Sequence, residues 1–393
     1  MIKAIADHPP QVPRSRPTAF TTLAVGDHPA TWRRFDTPRQ VAMATDLAEV
    51  TSVLETAEHW ARQGSWVVCL VSYEAAPAFD TALVTHRAGP LPLAWVGAFD
   101  TADLGGPELA GPAGVGPWSG LDQADHRMAF DRIRAHIRDG DTYQVNHSVR
   151  LRATFTGDPV DLFTTLSRAQ ATPYSVYLDL GRFVIASVSP ELFVQRIGHR
   201  LRVAPMKGTA ARLRDPGLDL AASAALHRSA KDVAENIMIV DLLRNDLARV
   251  SQPGSVRVHE LCAVETLPTL HTMVSTIDAD AQEGLDLVAL FGAVFPCGSI
   301  TGAPKVSTMR IIRELETSPR GVYCGALGLL APGGDATFTV PIRTAVIDTH
   351  TGEVEYSVGS GITYASDAQV EFAELSTKAR VLDALTAERG SNR

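Results

Sequence analysis

The 393-residue sequence has little of what several classes of protein require. Its four cysteines, Cys69, Cys262, Cys297 and Cys324, lie far apart without a CxxC pair, which indicates neither a zinc site nor a disulfide framework. Lys+Arg 36 against Asp+Glu 44 leaves a net charge of −8, so no nucleic-acid partner is expected. No run approaches the roughly 18 apolar residues of a membrane helix, and the opening MIKAIADHPPQVPRSRP has no apolar segment for secretion. We therefore expect a cytoplasmic protein with no membrane partner.

What the sequence does have is a large apolar content and one long connector. Hydrophobic residues make up 45% of the chain, enough for a sizeable core. Residues 103–121, DLGGPELAGPAGVGPWSGL, are dense in glycine and proline and are typical of a linker. We therefore predict an N-terminal region over 1–120 and a catalytic region, one integrated unit, over 121–393.

The order of predicted elements favours an α+β fold over a doubly wound sheet, because strand groups and long helices follow each other without a regular βαβ alternation. Apolar spacing and capping residues predict helices over 46–63, 122–139, 218–247 and 367–388, and one opened by Pro304. Strands are predicted over 66–72, 143–155, 321–330 and 336–348, and an antiparallel meander over 174–204.

Acidic residues share one face of each of two predicted helices. Asp232 and Glu235 are three residues apart on one helix, and Glu371, Glu374 and Lys378 stand at i, i+3 and i+7 on the last one. If the two faces meet, the four carboxylates can bind a hard cation such as Mg²⁺, which prefers oxygen ligands. A solvated ion pair between Glu374 and Lys378 would give the same spacing, so both interpretations stay open.

Lys207 and Glu191 are ionisable residues among apolar neighbours. If burial lowers the pKa of Lys207, in VAPMKGT, its neutral amine is a nucleophile. Glu191, in SVSPELF, lies between two apolar strands and would suit general acid catalysis if burial raises its pKa. A loop lysine in water and a turn glutamate are the alternatives.

Two further residues need a partner if they are buried. Arg343, in TVPIRTAVI, would bind either a ligand carboxylate or a structural acid, and His271, in LPTLHTMV, is a candidate ligand or a hydrogen-bonded core histidine. ATP and NAD are not indicated. The segment from Gly298 to Lys305 is one residue short of a phosphate-binding loop and contains a proline, and the glycines at 359 and 361 lack the third glycine of a dinucleotide fingerprint.

Nine blocks together resemble the chorismate-utilising enzymes, in unbroken order from about 122 to 383. They are DGDTYQVNHSVRL, SVSPELF, PMKGTAAR, KDVAENIMIVDLLRNDLARV, LPTLHTMVSTI, FPCGSITGAPK, RGVYCGALG, FTVPIRTAV and YSVGSGITYASDAQVEFAELSTKAR. The resemblance implies the chorismate-binding fold, in which antiparallel β-sheets pack as a sandwich with helices on the outside.

Within that family, the lysine of PMKGT resembles the members that convert chorismate and ammonia to 4-amino-4-deoxychorismate for p-aminobenzoate and folate synthesis. The resemblance implies that Lys207 adds to ring carbon 2 and that Glu191 protonates the departing hydroxyl. It implies that Glu235 and Glu374 hold Mg²⁺ and that Asp232 and Glu371 lie in or just outside its coordination shell. Substrate contacts are implied for Gln144, Thr209, His271, Tyr323, Arg343, Gly359, Ser360, Gly361 and Lys378.

The same resemblance suggests partners and alternatives. Ammonia is expected free or from a glutamine amidotransferase subunit, and a separate aminodeoxychorismate lyase is expected to act next. Anthranilate-forming relatives usually have alanine where this chain has Lys207, and relatives that form salicylate or isochorismate carry a general-base lysine where it has Gln144. A non-catalytic chorismate-binding regulatory subunit would lack Lys207, Glu191 or the metal carboxylates. No tryptophan-binding element is found, so feedback inhibition by tryptophan is not predicted.

Overall fold

The computed structural model describes residues 18–267 and 270–387, and the predictions for the opening residues and for the end of the last helix lie outside them. Its strands are β1 (Ala19–Thr21), β2 (Arg33–Phe35), β3 (Gln40–Ala44), β4 (Trp66–Val71), β5 (Ala94–Phe99), β6 (Asp103–Leu104), β7 (Gly114–Val115), β8 (Gln144–Thr156), β9 (Tyr174–Asp179), β10 (Phe183–Ser189), β11 (Leu192–Ile197), β12 (Arg200–Ala204), β13 (Met206–Ala211), β14 (Arg257–Thr266), β15 (Leu270–Asp280), β16 (Gly302–Ala303), β17 (Ala326–Leu330), β18 (Ala336–Thr339), β19 (Thr344–Asp348) and β20 (Glu353–Thr363).

The helices of the described residues flank these strands. They are α1 (Val50–Arg62), α2 (Gln123–Arg138), α3 (Pro159–Ala169), α4 (Pro216–Arg228), α5 (Ala230–Ala248), α6 (Leu287–Val294), α7 (Lys305–Leu315), α8 (Ala368–Ala379) and α9 (Ala384–Ala387). None of them combines the length and the apolar character that a membrane crossing requires.

Two ten-stranded antiparallel sheets form the body of the protein. The first has the order β16-β8-β20-β19-β10-β9-β1-β2-β6, with β7 also paired to β8. The second has the order β13-β15-β12-β11-β18-β17-β4-β5-β3, with β14 also paired to β15. Strands from both sides of the connector at 103–121 therefore share both sheets, and the division of the chain there stays a prediction.

The sheets pack face to face and the helices cover their outer faces. The layer between them is apolar and contains Phe35 and Ile185 from the first sheet with Leu70 and Leu327 from the second. Helices α1, α5 and α6 pack on the outside of the second sheet, and α2, α3, α7 and α8 on the outside of the first. The predicted α+β class and the sandwich with external helices are confirmed.

Two long predicted elements are each divided in the structure. The helix predicted over 218–247 is two helices, because Ser229 ends α4 and its hydroxyl caps α5 by accepting a hydrogen bond from the backbone N–H of Asp232. The strand predicted over 336–348 is β18 in the second sheet and β19 in the first. Pro341, which has no N–H to donate, lies in the crossing between them.

Candidate active site

A cavity open to solvent lies where the chain passes between the sheets, and it encloses about 820 Å³ when the solvent at its mouth is included. Strands β8, β13 and β20 and helices α5 and α8 contribute side chains to it. Eleven of the fifteen predicted site residues line the cavity: Glu191, Lys207, Thr209, Asp232, Glu235, Tyr323, Arg343, Gly359, Gly361, Glu374 and Lys378. The remaining four are Gln144, His271, Ser360 and Glu371.

Glu191 and Arg343 reach the cavity because each lies at a crossing between the sheets. Glu191 separates β10 of the first sheet from β11 of the second, and Arg343 precedes β19 on the way back. The crossings are bonded to each other, since the carbonyl oxygen of Glu191 accepts from the N–H of Val340 at 3.1 Å and from the hydroxyl of Thr339 at 2.7 Å. Arg343 adopts φ +51°, a left-handed conformation that costs a non-glycine residue about 1 kcal/mol or more.

Lys207 and Glu191 face each other across the turn that contains Ser299. The amine Nζ of Lys207 donates to the carbonyl oxygen of Ser299 at 2.8 Å, and the Ser299 hydroxyl donates to Oε1 of Glu191 at 2.5 Å. Burial lowers the pKa of Lys207, against the opposing charges of Glu235 and Glu191. Burial also raises the pKa of Glu191 to about 7, against the Ser299 hydrogen bond and the charge of Lys207. The site can therefore hold a neutral amine beside a protonated carboxyl group.

The strand that carries Lys207 bends at Gly208. The register of β13 against β15 shifts between Lys207 and Thr209, and Gly208 has φ +73°. A Cβ atom at Gly208 would come within 2.8 Å of the Asp232 carboxylate. Glycine is therefore needed at this bulge, which lets α5 approach β13 closely.

At another part of the cavity, an arginine has no acidic partner. The Arg343 guanidinium makes no hydrogen bond or ion pair with any described residue, and burial lowers its pKa. Gly359 lies close to hydroxyl and amide groups, since a Cβ atom there would approach Ser148 Oγ at 2.9 Å and Tyr323 OH at 3.0 Å. An uncompensated cation in a cavity that also contains the Tyr323 hydroxyl and glycine backbone fits a carboxylate ligand.

Two of the four predicted carboxylates contact Lys231. Its Nζ donates to Oε1 of Glu371 at 2.5 Å and lies 3.7 Å from Oε1 of Glu235. Glu374 pairs with Lys378 at 2.7 Å, and this ion pair lowers its pKa although burial opposes the ionisation. Burial raises the pKa of Glu235 to about 7, against the charges of Lys207 and Lys231.

Some oxygens of this cluster are available to a cation. Oε1 of Glu235 and Oε2 of Glu371 are buried and accept no hydrogen bond from the described residues. Within residues 18–267 and 270–387, no group of three or more Asp, Glu, His or Cys side chains is arranged to hold a metal ion. Carboxylate oxygens are the donors that a hard cation prefers, and two of these accept no hydrogen bond from the described residues.

The remaining predicted residues lie off the cavity lining. Gln144 is fully buried, a Cβ atom at Gly361 would lie 2.8 Å from its Nε2, and neither amide atom has a partner among the described residues. Ser360 is buried opposite His147, with its hydroxyl likewise unpartnered in the described part of the chain. His271 bonds Asp219 through Nε2 at 3.0 Å, as in the core interpretation of this residue.

Sequence reasoning missed several polar residues of the cavity, among them Asn146, Lys231 and Ser299. Lys231 stands four residues before Glu235, a spacing that predicts a pair on one helix face. Asn146 lies two residues after Gln144 on the same face of β8. Ser299 belongs to the segment rejected as a phosphate-binding loop, and its role depends on contacts between distant segments.

Comparison with known proteins gives the same family along most of the chain. The profile described as chorismate binding enzyme matches residues 118–384. Aminodeoxychorismate synthase component 1 of Salmonella typhimurium is 42% identical over 256 residues, 65% of this chain and 56% of that protein. Anthranilate synthase component 1 of Streptomyces coelicolor is 40% identical over 271 residues, 68% of this chain and 52% of that protein. The chain thus spans about half the length of the curated relatives it matches.

Solved structures share the fold at lower identity. A putative 2,3-dihydroxybenzoate-specific isochorismate synthase from Bacillus anthracis superposes with a TM-score of 0.77 at 19% identity, covering 94% of this chain and 96% of that one. Anthranilate synthase component I from Streptococcus pneumoniae has a TM-score of 0.73 at 22% identity, with 95% and 93% covered. At these sequence identities, the similarity shows a shared fold.

Proposed function

Since the chain belongs to the chorismate binding enzyme family, as the nine blocks predicted, we propose that it aminates chorismate at ring carbon 4, the activity of an aminodeoxychorismate synthase. One observation carries the choice of chemistry. The amine of Lys207 lies in the cavity beside Glu191, and burial shifts both groups toward their uncharged forms. This pair supplies a nucleophile and an acid.

In the first step the neutral Lys207 amine attacks ring carbon 2. The two ring double bonds shift, and the bond between carbon 4 and its hydroxyl breaks. Glu191 gives its proton to the departing oxygen, which leaves as water. Before this step, one proton moves from the Lys207 ammonium to the Glu191 carboxylate. This transfer gives the neutral amine and the protonated acid and leaves the net charge of the pair unchanged.

In the second step ammonia attacks carbon 4. The double bonds return, the bond between carbon 2 and the lysine nitrogen breaks, and Lys207 leaves as a neutral amine. The new ammonium group at carbon 4 gives a proton to the Glu191 carboxylate, which restores the acid. Two displacements restore the configuration at carbon 4, and the product is 4-amino-4-deoxychorismate with the enolpyruvyl group retained.

The cavity offers separate positions for the two carboxylates of the substrate. Arg343, Tyr323 and the backbone at Gly359 would bind the enolpyruvyl carboxylate, because the guanidinium lacks any other anion among the described residues. The ring carboxylate would then approach Glu235 and Glu374, where a cation is needed between like charges.

Mg²⁺ suits that position in our proposal. Glu235 and Glu374 would hold it, with Asp232 and Glu371 in or beside the shell. The buried oxygens of Glu235 and Glu371 that accept no hydrogen bond from the described residues support this assignment. When bound, the ion neutralises the ring carboxylate and makes carbon 2 easier to attack. Lys231 would give up part of its present contact with Glu371.

The relatives named component 1 suggest that this chain works with a second component. We propose a glutamine amidotransferase subunit as the ammonia source, free ammonia as its substitute in the assay, and a separate aminodeoxychorismate lyase as the next enzyme. These partners are consistent with p-aminobenzoate and folate synthesis in a cytoplasmic setting.

The test is product identification. The chain is incubated with chorismate, Mg²⁺ and ammonium at mildly alkaline pH. The products are separated by chromatography and identified by mass spectrometry. We expect 4-amino-4-deoxychorismate, which added lyase converts to p-aminobenzoate. Fluorescent anthranilate with pyruvate, or salicylate or isochorismate, would overturn the proposal. A Lys207→Ala variant that keeps full activity would overturn the covalent route alone.

A further inference from the structure

Ser299 touches both of the groups that the proposed reaction uses. Its carbonyl oxygen accepts from Lys207 Nζ at 2.8 Å and its hydroxyl donates to Glu191 Oε1 at 2.5 Å. Both Ser299 and Glu191 are buried. A single residue therefore contacts the nucleophile through its backbone and the acid through its side chain.

The turn that carries Ser299 is held by contacts that do not involve its hydroxyl. Arg320 donates to the carbonyl oxygens of Ile300 at 2.9 Å and Asn146 at 2.7 Å, and Glu316 holds Arg320 through two hydrogen bonds. Removal of the Ser299 hydroxyl should therefore leave the turn in position, with the carbonyl contact to Lys207 intact.

The Ser299 hydroxyl has a second hydrogen-bond partner, which it can use when Glu191 is protonated. Sγ of Cys297 lies 3.1 Å from the hydroxyl oxygen. When Glu191 is ionised, the hydroxyl donates to it. When Glu191 is protonated, the hydroxyl can accept a hydrogen bond from the carboxyl O–H and donate its own hydrogen to Cys297 instead. A rotation of one O–H bond therefore satisfies both states.

The other polar groups facing Glu191 come from several elements. Lys207 on β13 and Lys378 on α8 favour the ionised carboxylate, as does the backbone N–H of Met206. The thiols of Cys297 and Cys324 also feel its charge, and burial raises the pKa of both, to about 12, so they stay neutral. Among the described residues, Ser299 is therefore the side chain that hydrogen-bonds the carboxyl group of Glu191.

We propose that Ser299 is a positioning residue that orients the Glu191 carboxyl group toward the departing oxygen and controls whether the proton shared with Lys207 resides on the acid or the amine. This role rests on the proposed function. No bond to Ser299 forms or breaks, because the proton passes from the Lys207 ammonium to the Glu191 carboxylate and the hydroxyl only reverses its hydrogen bond.

The experiment compares Ser299→Ala with Ser299→Thr, which restores the hydroxyl. In the alanine variant the carboxylate loses a donor, so the pKa of Glu191 should rise by about one unit. On the alkaline side of the pH profile, kcat/KM falls because Glu191 loses its proton. This fall should move to higher pH when the pKa of Glu191 rises. We expect kcat to fall about tenfold with KM nearly unchanged, and threonine to restore the profile.

Thr301→Ala is the matched control. It removes a hydroxyl from the same buried turn, one that donates to the Cys297 carbonyl oxygen at 3.0 Å and has no contact with Glu191. A loss of stability in this variant without a shift of the pH profile is the expected result. An equal shift in both alanine variants would mean that only the turn geometry matters and would overturn the role of Ser299.

A titration without turnover separates this inference from the proposed function. Difference infrared spectroscopy follows the protonated carboxyl band of Glu191, assigned by its loss in Glu191→Gln, in the protein without substrate. A raised pKa in Ser299→Ala together with no aminated product from the parent would support Ser299 and refute the function. An unchanged pKa would refute the role of Ser299 whatever the product is.

Discussion

Replacing Lys207 with methionine should stabilise the protein while it abolishes amination. Burial lowers the pKa of Lys207, so at neutral pH the ammonium group is less favourable in the folded protein than in the unfolded chain. Each unit of depression corresponds to about 1.4 kcal/mol, and because the amine is only partly enclosed we expect a gain of about 1–2 kcal/mol. Glu191 and Glu235, whose pKa values burial raises to about 7, can take up protons at little cost.

The gain should shrink as the pH rises. A lysine whose folded pKa is depressed costs stability below that pKa, and the cost disappears as the pH climbs toward about 10.4, the ordinary value. In Lys207→Met the two glutamates lose a cation, which penalises their ionised forms at high pH. Both effects bring the stability curves of the parent and the variant together at alkaline pH.

The assay is urea unfolding without substrate at neutral and mildly alkaline pH, with Lys231→Met as the contrasting variant. The ion pair between Lys231 and the fully buried Glu371 raises the pKa of the lysine although burial opposes it. Its removal leaves Glu371 without a cation and should lower the free energy of unfolding by about 2–4 kcal/mol. If Lys207→Met lost as much stability as Lys231→Met, the amine would not be desolvated and the nucleophile assignment would lose its physical basis.

Three further outcomes follow from the cavity. Arg343→Gln should raise KM for chorismate about 100-fold with a smaller change in kcat, because a charge-assisted pair contributes about 2–3 kcal/mol; an unchanged KM in initial-rate measurements would exclude the contact. Glu235→Gln and Glu374→Gln should each weaken Mg²⁺ binding measured by calorimetry, and a variant that titrates like the parent contains no ligand at that position. Gly359→Ala should cost about 1–3 kcal/mol in unfolding and impair substrate binding, because its Cβ would approach Tyr323 OH at 3.0 Å; full affinity would refute a close backbone contact.

The elements that the sequence predicted well are those fixed by local signals. Asp122 caps α2 and its side chain accepts from the N–H groups of Ala124 and Asp125, as the position of the aspartate before an apolar stripe predicted.

The two predicted elements that are divided in the structure also carried a local signal. Ser229 is followed three residues later by Asp232, a capping pattern, and Pro341 interrupts a strand. Both segments are otherwise long and rich in apolar residues, a pattern that predicts one continuous element.

Contacts between distant segments lay beyond the sequence pattern. The spacing of Glu371 and Glu374 predicted a shared helix face, but only the packed structure reveals Lys231 between that face and Glu235. The link from Ser299 to Glu191 joins residues 108 positions apart. His271 had two interpretations, and the bond to Asp219 depends on where α4 packs against β15.

The two crossings explain why the candidate acid and the candidate anion-binding arginine share one cavity. A residue inside a sheet must alternate between two packed faces, whereas a residue between two sheets is free of that constraint. Glu191 and Arg343 use this freedom, and the bonds from Val340 and Thr339 to the Glu191 carbonyl oxygen tie the crossings together. These hydrogen bonds hold the two crossings next to each other, and Arg343 adopts its left-handed conformation, with φ +51°, at this junction. Substitutions that loosen this junction should therefore affect protonation of the leaving group and carboxylate binding together, although neither Val340 nor Thr339 lines the cavity.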